Sequence, residues 1–343
     1  MGIFENKVEA RIKRMEKMRE EIRKTEKANQ NTFLNNNEQK KVEVEEKVKP
    51  IGKKIEVDKD VSLNKIEEKN FITAEINIKE EDINKNVNIY NCYAEKCKIE
   101  AIGHIKLSSA KFVFKEAGKY KIIYYFSNYL RSTNSMFDGC SSLTNIDLSN
   151  FNTQNLYTMK NMFYQCNSLT SINFSNINTQ NVVDMAGLFS QCSSLTNIDL
   201  SNFNTQNVTN MSWMFDGCVS LTNIDVSNFN TQNVVDIHYM FNGCESLTSI
   251  DVSNFNTENV KNMRNLFSGC KSLKKIDLSN FITDNTFGMC DMFKDCESLT
   301  HLDLSKFNTQ NVQYLSSFFD GCNSLKRENL KTNDDKILEI ISN

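Results

Sequence analysis

The chain has 343 residues, with 40 Lys and Arg against 43 Asp and Glu, a formal net charge of −3, and a single Pro. Its longest apolar run, from Ile122 to Phe126, is far short of the roughly 20 residues a membrane helix needs, and one Pro excludes collagen-like and proline-rich chains. Net charge is +3 over 1–60, +2 over 61–130 and −8 over 131–343, so no segment has the basic excess that binding a nucleic acid calls for.

In chain order, residues 1–30 are expected to form a charged helix. Val8, Ile12, Met15 and Ile22 fall at roughly heptad spacing, interrupted by Arg19. The segment reads as a solvated helix or as a short coiled coil through which the chain self-associates. No apolar stretch of signal-peptide type follows Met1. Residues 31–59 are polar, include Pro50, and read as a flexible linker. Residues 60–129 read as a small β-rich domain. ITAEINIK, VNIYNCY, HIKLSS and AKFVFK alternate apolar and polar residues, and KYKIIYYFS (119–127) is expected as a strand in the sheet position of the first coil.

From Leu143 the chain repeats itself. A new copy opens at every twenty-sixth position: Leu169, Leu195, Leu221, Leu247, Leu273 and Leu299. A fixed period of this length marks a solenoid, whose coils bury their apolar faces only by stacking. Two patterns recur in each copy. LxxIDLS alternates and predicts a short parallel strand. MxxMFxxCxxL, as in Met211, Met214, Phe215, Cys218 and Leu221, has apolar spacings of 3, 4, 7 and 10 and predicts a short helical segment. The invariant Asn155, Asn181, Asn207, Asn233, Asn259, Asn285 and Asn311 stand where its N-cap is expected, and Gly217 and its equivalents where it should end. The expected fold is thus an α/β repeat solenoid over 130–325, closed by a C-terminal cap over 326–343. DDKILEII forms the cap helix, with Asn333 as its cap residue.

Eight of eleven cysteines lie in one column at the same period: Cys140, Cys166, Cys192, Cys218, Cys244, Cys270, Cys296 and Cys322. A column of this kind is expected to be buried core rather than a disulfide framework, which favours a reducing, cytoplasmic compartment. Cys290 falls among variable positions and is expected to be exposed. A second column, Asp147, Asp199, Asp225, Asp251, Asp277 and Asp303, is either an acidic stripe for a basic partner or cation, or a set of carboxylates bonded to neighbouring Ser, Thr and Asn. Calcium wants six to eight oxygens, which favours the second. The threonine column from Thr153 to Thr309 is either a water-ordering, ice-binding array or a structural ladder.

No nucleophile, His and acid recur together, and no phosphate loop or paired metal-ligand motif occurs, so neither catalysis nor a cofactor or metal is expected. Binding specificity has to come from the positions that vary between copies, 157–158, 160–161, 164–165 and 167 and their equivalents. Tyr157, Trp213, His238, Tyr239 and Arg264 are the candidate contacts for a protein partner.

The full pattern MFxGCxSLTxIDLSNFNTxNVxxM, read from Met214-Phe215-Asp216-Gly217-Cys218 through Asp225 to Thr231, resembles the BspA-like leucine-rich repeat family. The resemblance spans 130–325. It implies a leucine-rich-repeat solenoid without catalysis, acting in protein binding or adhesion, and it makes a cell-surface location the alternative to a cytoplasmic one.

Overall fold

In the computed structural model, residues 70–91, 97–101, 105–107, 111–126 and 130–342 are described. The expected helix of 1–30 and linker of 31–59 lie outside them.

The segment after residue 70 forms strands, as its alternation predicts. β1 (Phe71–Ile78) points Ile72, Ala74, Ile76 and Ile78 inward. β2 (Asn86–Asn88) pairs with β5 (Lys111–Val113), and β3 (Cys97–Ala101) with β4 (Ile105–Leu107). β6 (Gly118–Phe126) buries Ile122, Tyr124 and Phe126. A six-stranded mixed sheet runs β4-β3-β6-β1-β7-β8, where β7 is Leu143–Asp147 and β8 is Ser171–Asn173. The strand beside the first full repeat is therefore β1, antiparallel to β7, with Ala74 opposite Ile146. β6 is one place further out, paired to β1 and β3. The expectation for 119–127 is right in element type and wrong in position.

The repeats stack in parallel. A bridge column joins Ser132, Thr158, Asp184, Asn210, Asp236, Asn262, Gly288 and Tyr314 in turn. Strands at the LxxID position are regular only at the ends: β7 with β8, and β9 (Leu302–Asp303) with β10 (Leu330–Lys331).

The expected helical segment is absent from every coil. Its place is taken by consecutive turns with a divided hydrogen-bonding scheme. Met159, Asn161, Phe163 and Gln165 donate their amides to Asp184, Ala186, Leu188 and Ser190 of the next coil, at 2.8–3.0 Å. Met162, Tyr164 and Cys166 donate back to the residue three before. Alternate peptide planes are thus turned along the stack, and the chain reaches this by placing two residues per coil in the left-handed region, here Asn161 (φ 55°) and Gln165 (φ 58°). Gly139, Gly217, Gly243, Gly269 and Gly321 occupy the second of these positions, where Gly carries no Cβ penalty; they do not end helices. Met159, Met162, Phe163, Cys166 and Leu169 are all fully buried. The spacing of 3, 4, 7 and 10 therefore identifies the inward side chains correctly while misassigning the backbone.

Polar ladders hold the coils together. Thr179 Oγ1 accepts from the Asn204 amide at 2.7 Å and donates to the Asn204 carbonyl at 2.9 Å. Thr205, Thr231, Thr257 and Thr283 repeat this, and the column from Thr153 to Thr309 is at most 3 % exposed. A buried column orders no surface water, so the ice-binding alternative falls. The invariant Asn residues are rungs rather than N-caps: Asn181 Nδ2 donates to Gln154 O at 3.0 Å, Asn207 to Gln180 and Asn233 to Gln206. Eight phenylalanines from Phe137 to Phe319 stack at 5.6–6.2 Å.

The last coil is closed by a 3₁₀ turn at Arg327–Asn329, by β10 and by the expected helix α1 (Asp335–Ser342), which buries Ile337. Its cap is Asp334, not Asn333: Ile337 N donates to Asp334 Oδ1 at 3.2 Å. The same carboxylate accepts from Thr309 N (2.8 Å) and Thr309 Oγ1 (2.6 Å), supplying acceptors where earlier coils meet the backbone of the next.

Candidate functional site

The structure separates the candidate residues into a core, a self-satisfied side and a variable face. The cysteine column is core. Cys140 through Cys296 are buried, and each Sγ from Cys166 to Cys322 donates to a Phe carbonyl in the preceding coil, as Cys218 does to Phe189 at 3.2 Å. Burial raises the pKa of these thiols, that of Cys270 to about 12. Cys290 is also buried, 8 % exposed, and burial raises its pKa. The expectation that it is exposed is wrong, because the turns of its coil fold it in beside Arg264. Cys322, at the open end of the column, is half-buried. The side-chain contact between Cys322 and Cys296 lowers the pKa of Cys322 and raises that of Cys296.

The aspartate column is bonded to its own chain. Asp147, Asp199, Asp225, Asp251, Asp277 and Asp303 each accept, through Oδ1, the amide of the Ser two residues on, at 2.9 Å. These Asx turns match the second of the two sequence readings. The Ser hydroxyls and amides lower the pKa of Asp199, Asp225, Asp251 and Asp303, the last to about 2 with help from Lys331.

The variable face is built by columns 157–158 and 160–161. It brings together Trp213, His238 and Tyr239 and leaves Tyr157 and Arg264 apart. Trp213 and Tyr239 are the left-handed residues of adjacent coils (φ 61° and 59°). Their rings stack at 4.0 Å and 5°. Trp213 Nε1 donates to His238 Nε2 at 2.7 Å, and His238 Nδ1 faces Asp236 Oδ1 at 2.6 Å. An indole N–H only donates, so Nε2 of His238 is the unprotonated nitrogen and Nδ1 carries the hydrogen to Asp236. Asp236 also accepts the His238 amide at 3.1 Å. Tyr157 is half-buried in an earlier coil. Arg264 runs over Gly288, its Cδ 3.0 Å from where a Gly288 Cβ would stand, and so points away from Tyr239. Column 164 belongs partly to the interior: Ser190, Asp216 and Ser268 are buried.

Sequence reasoning missed three members of this face. Val235 (41 % exposed), Phe287 (40 %) and Tyr314 (55 %) join Trp213 (38 %), so four of the five exposed large apolar residues among the described residues lie here. The signal was present, since all three stand in variable columns 157–158.

Comparison with known proteins places the repeats. Residues 131–250 and 244–340 match the family described as "Mycoplasma protein of unknown function, DUF285", and residues 66–185 match "BspA type Leucine rich repeat region (6 copies)". The chain belongs to this BspA-like repeat family. The leucine-rich-repeat match starts at 66, inside the segment that shows no repeat register, which agrees with β1 taking the place beside the first full repeat. No curated protein and no solved structure matches the chain. BspA-like repeat proteins are often surface-associated and generally non-enzymatic. Among the described residues, no helix is long and apolar enough to cross a membrane.

Proposed function

We propose that this chain is a non-catalytic protein-interaction module. On this reading a solenoid over 130–325, flanked by a β-rich unit over 60–129 and a cap over 326–343, presents the 157–161 face to a protein partner. The observation that carries it is the gathering of Trp213, Val235, Phe287 and Tyr314 on that face, while the aspartate, threonine and asparagine columns spend their hydrogen bonds within the stack. Exposed apolar residues collected on one side mark interaction surfaces. The membership in a BspA-like family supports a binding or adhesin-like role. The triple variant Val235→Glu, Phe287→Glu, Tyr314→Glu tests it: it should fold as the wild type and lose the proteins that wild-type bait retains. Identical retention by both baits refutes the face.

The family supports work at the cell surface, and the unpaired buried thiols support a reducing compartment. Protease shaving of intact cells decides between adhesin and internal scaffold.

A further inference from the structure

We infer that the Trp213 ring is a docking platform for a cationic planar side chain, an arginine presented by the protein partner. The inference rests on the protein-binding reading of the face and adds the chemistry of what it binds.

The ring is held in place from one side only. Tyr239 covers one face at 4.0 Å, and the indole N–H is tied to His238. In the preceding coil the equivalent positions are Ala186 and Gly187, which have no side chain beyond Cβ to cover the other face. Asn161 reaches over Gly187, its Oδ1 standing where a Gly187 Cβ would be. A shallow notch thus lies beside the free face of Trp213, formed at Ala186 and Gly187, with the Asn161 amide oxygen reaching into it at the level of Gly187.

The surrounding charge has one sign. No Lys or Arg occurs between Lys160 and Lys261, a stretch that holds eight Asp and Glu. Asp184 and Asp236 flank the notch in column 158. His238 presents its unprotonated nitrogen to Trp213, and Arg264 points away over Gly288. The chain supplies no cation of its own to this ring among the described residues. A guanidinium is planar, stacks on indole and donates from its rim, so it matches the ring, the Asn161 oxygen and the field together. A carboxylate or phosphate is repelled, and a neutral aromatic ring gains nothing from the charge.

Trp213 is the chain's only Trp, so its emission reports the site. The full chain is titrated with a blocked Gly-Arg-Gly-Arg-Gly peptide and with its Glu and Gln counterparts, and fluorescently labelled peptide is followed by anisotropy. The Arg peptide should bind saturably, weaken as salt screens the field, and alone shift Trp213 emission. Trp213→Ala and Val235→Lys should each weaken it about tenfold, while Asp225→Asn on the opposite side should not. No binding at low salt, or equal binding by wild type, Trp213→Ala and Val235→Lys, overturns the inference. Binding that appears only when Arg11, Arg14, Arg19 and Arg23 are changed to Gln assigns the notch to the chain's own N-terminal segment and overturns the partner reading. If the Glu-substituted face loses its partner but the Arg peptide fails to bind, the interaction face stands and the arginine does not.

Discussion

Asp334→Ala should open the C-terminal end of the stack. Its carboxylate takes three hydrogen bonds, two from Thr309 and one from the Ile337 amide. Thr309 is 1 % exposed, so water does not replace the lost acceptor. Hydrogen bonds to a charged group contribute about 1.5–3 kcal/mol, and an N-cap about 1 kcal/mol. Sharing one carboxylate makes these non-additive, and a loss of about 2–4 kcal/mol is expected. Asp334→Asn keeps the cap and one acceptor but turns an amide N–H toward a donor, so it should fall between. Because repeat arrays are held by nearest-neighbour interfaces, the effect should be local. Urea unfolding measures the total, and hydrogen exchange locates it, with protection lost at Thr309, Leu304 and Leu338 and kept at Phe215 and Phe241. A change no larger than that of an ordinary surface substitution, about 0.5 kcal/mol, with unaltered exchange at Thr309, refutes the reading of Asp334 as the end rung.

Native-state thiol labelling with mass mapping should modify Cys322 first among the cysteines of the repeats, and leave Cys218, Cys244 and Cys290 until unfolding; equal rates at Cys290 and Cys322 refute the burial pattern. Asp303 has its pKa lowered to about 2 from an unfolded value near 3.8, so its stabilising contribution is complete above about pH 4 and lost as pH falls through 2. The melting difference between wild type and Asp303→Asn should shrink over that window, and a difference independent of pH from 5 to 2 refutes it. Trp213 and Tyr239 hold left-handed φ in a column otherwise filled by Ser, Asn, Gly and Asp. That strain costs about 1–2 kcal/mol each, against about 0.5–1.5 kcal/mol for the stacked pair. Replacing both by Asn should therefore leave thermal stability equal or higher while removing Arg-peptide binding; a clear drop in melting temperature makes the pair structural.

What the sequence shows of the fold follows from what repetition can encode. The period, the number of coils and the inward side chains are all legible, because burial of Met211, Met214, Phe215, Cys218 and Leu221 demands the same residue types whatever the backbone does. The backbone itself is not legible by that route. Successive turns with left-handed residues four apart bury side chains at 3, 4, 7 and 10, the spacings of an α-helix, and only the hydrogen-bond partners differ. One clue was available: Gly139, Gly217, Gly243, Gly269 and Gly321 alternate in their column with Gln165, Gln191 and Asp295, and a helix end would not ask for glycine at one invariant place in the middle of each coil's turn run. The Thr153 to Thr309 column misleads in a similar way. A hydroxyl satisfied by a backbone N–H and C=O in the next coil has no local signature.

The candidate site divides along the same line. Side chains bonded within their own copy, such as the Asp225 turn with Ser227, can be reasoned from neighbours two positions apart. Trp213 meets His238 and Tyr239 only from one coil to the next, and their association depends on the coil pitch and on left-handed φ at both aromatics. Column logic finds their common face but not their contact; it wrongly takes Cys290 as exposed, and it does not show that Arg264, though exposed, lies over Gly288 rather than beside Tyr239. Arg264 is drawn aside because Gly288, in the following coil, leaves room for its side chain to lie down. Trp213 is bare on one side because the residue before it in its own column is Gly187. In a stack, what a variable residue presents to a partner is set by the size of its neighbours one period away, so the binding chemistry lies in the sequence of each column rather than in the sequence of any coil.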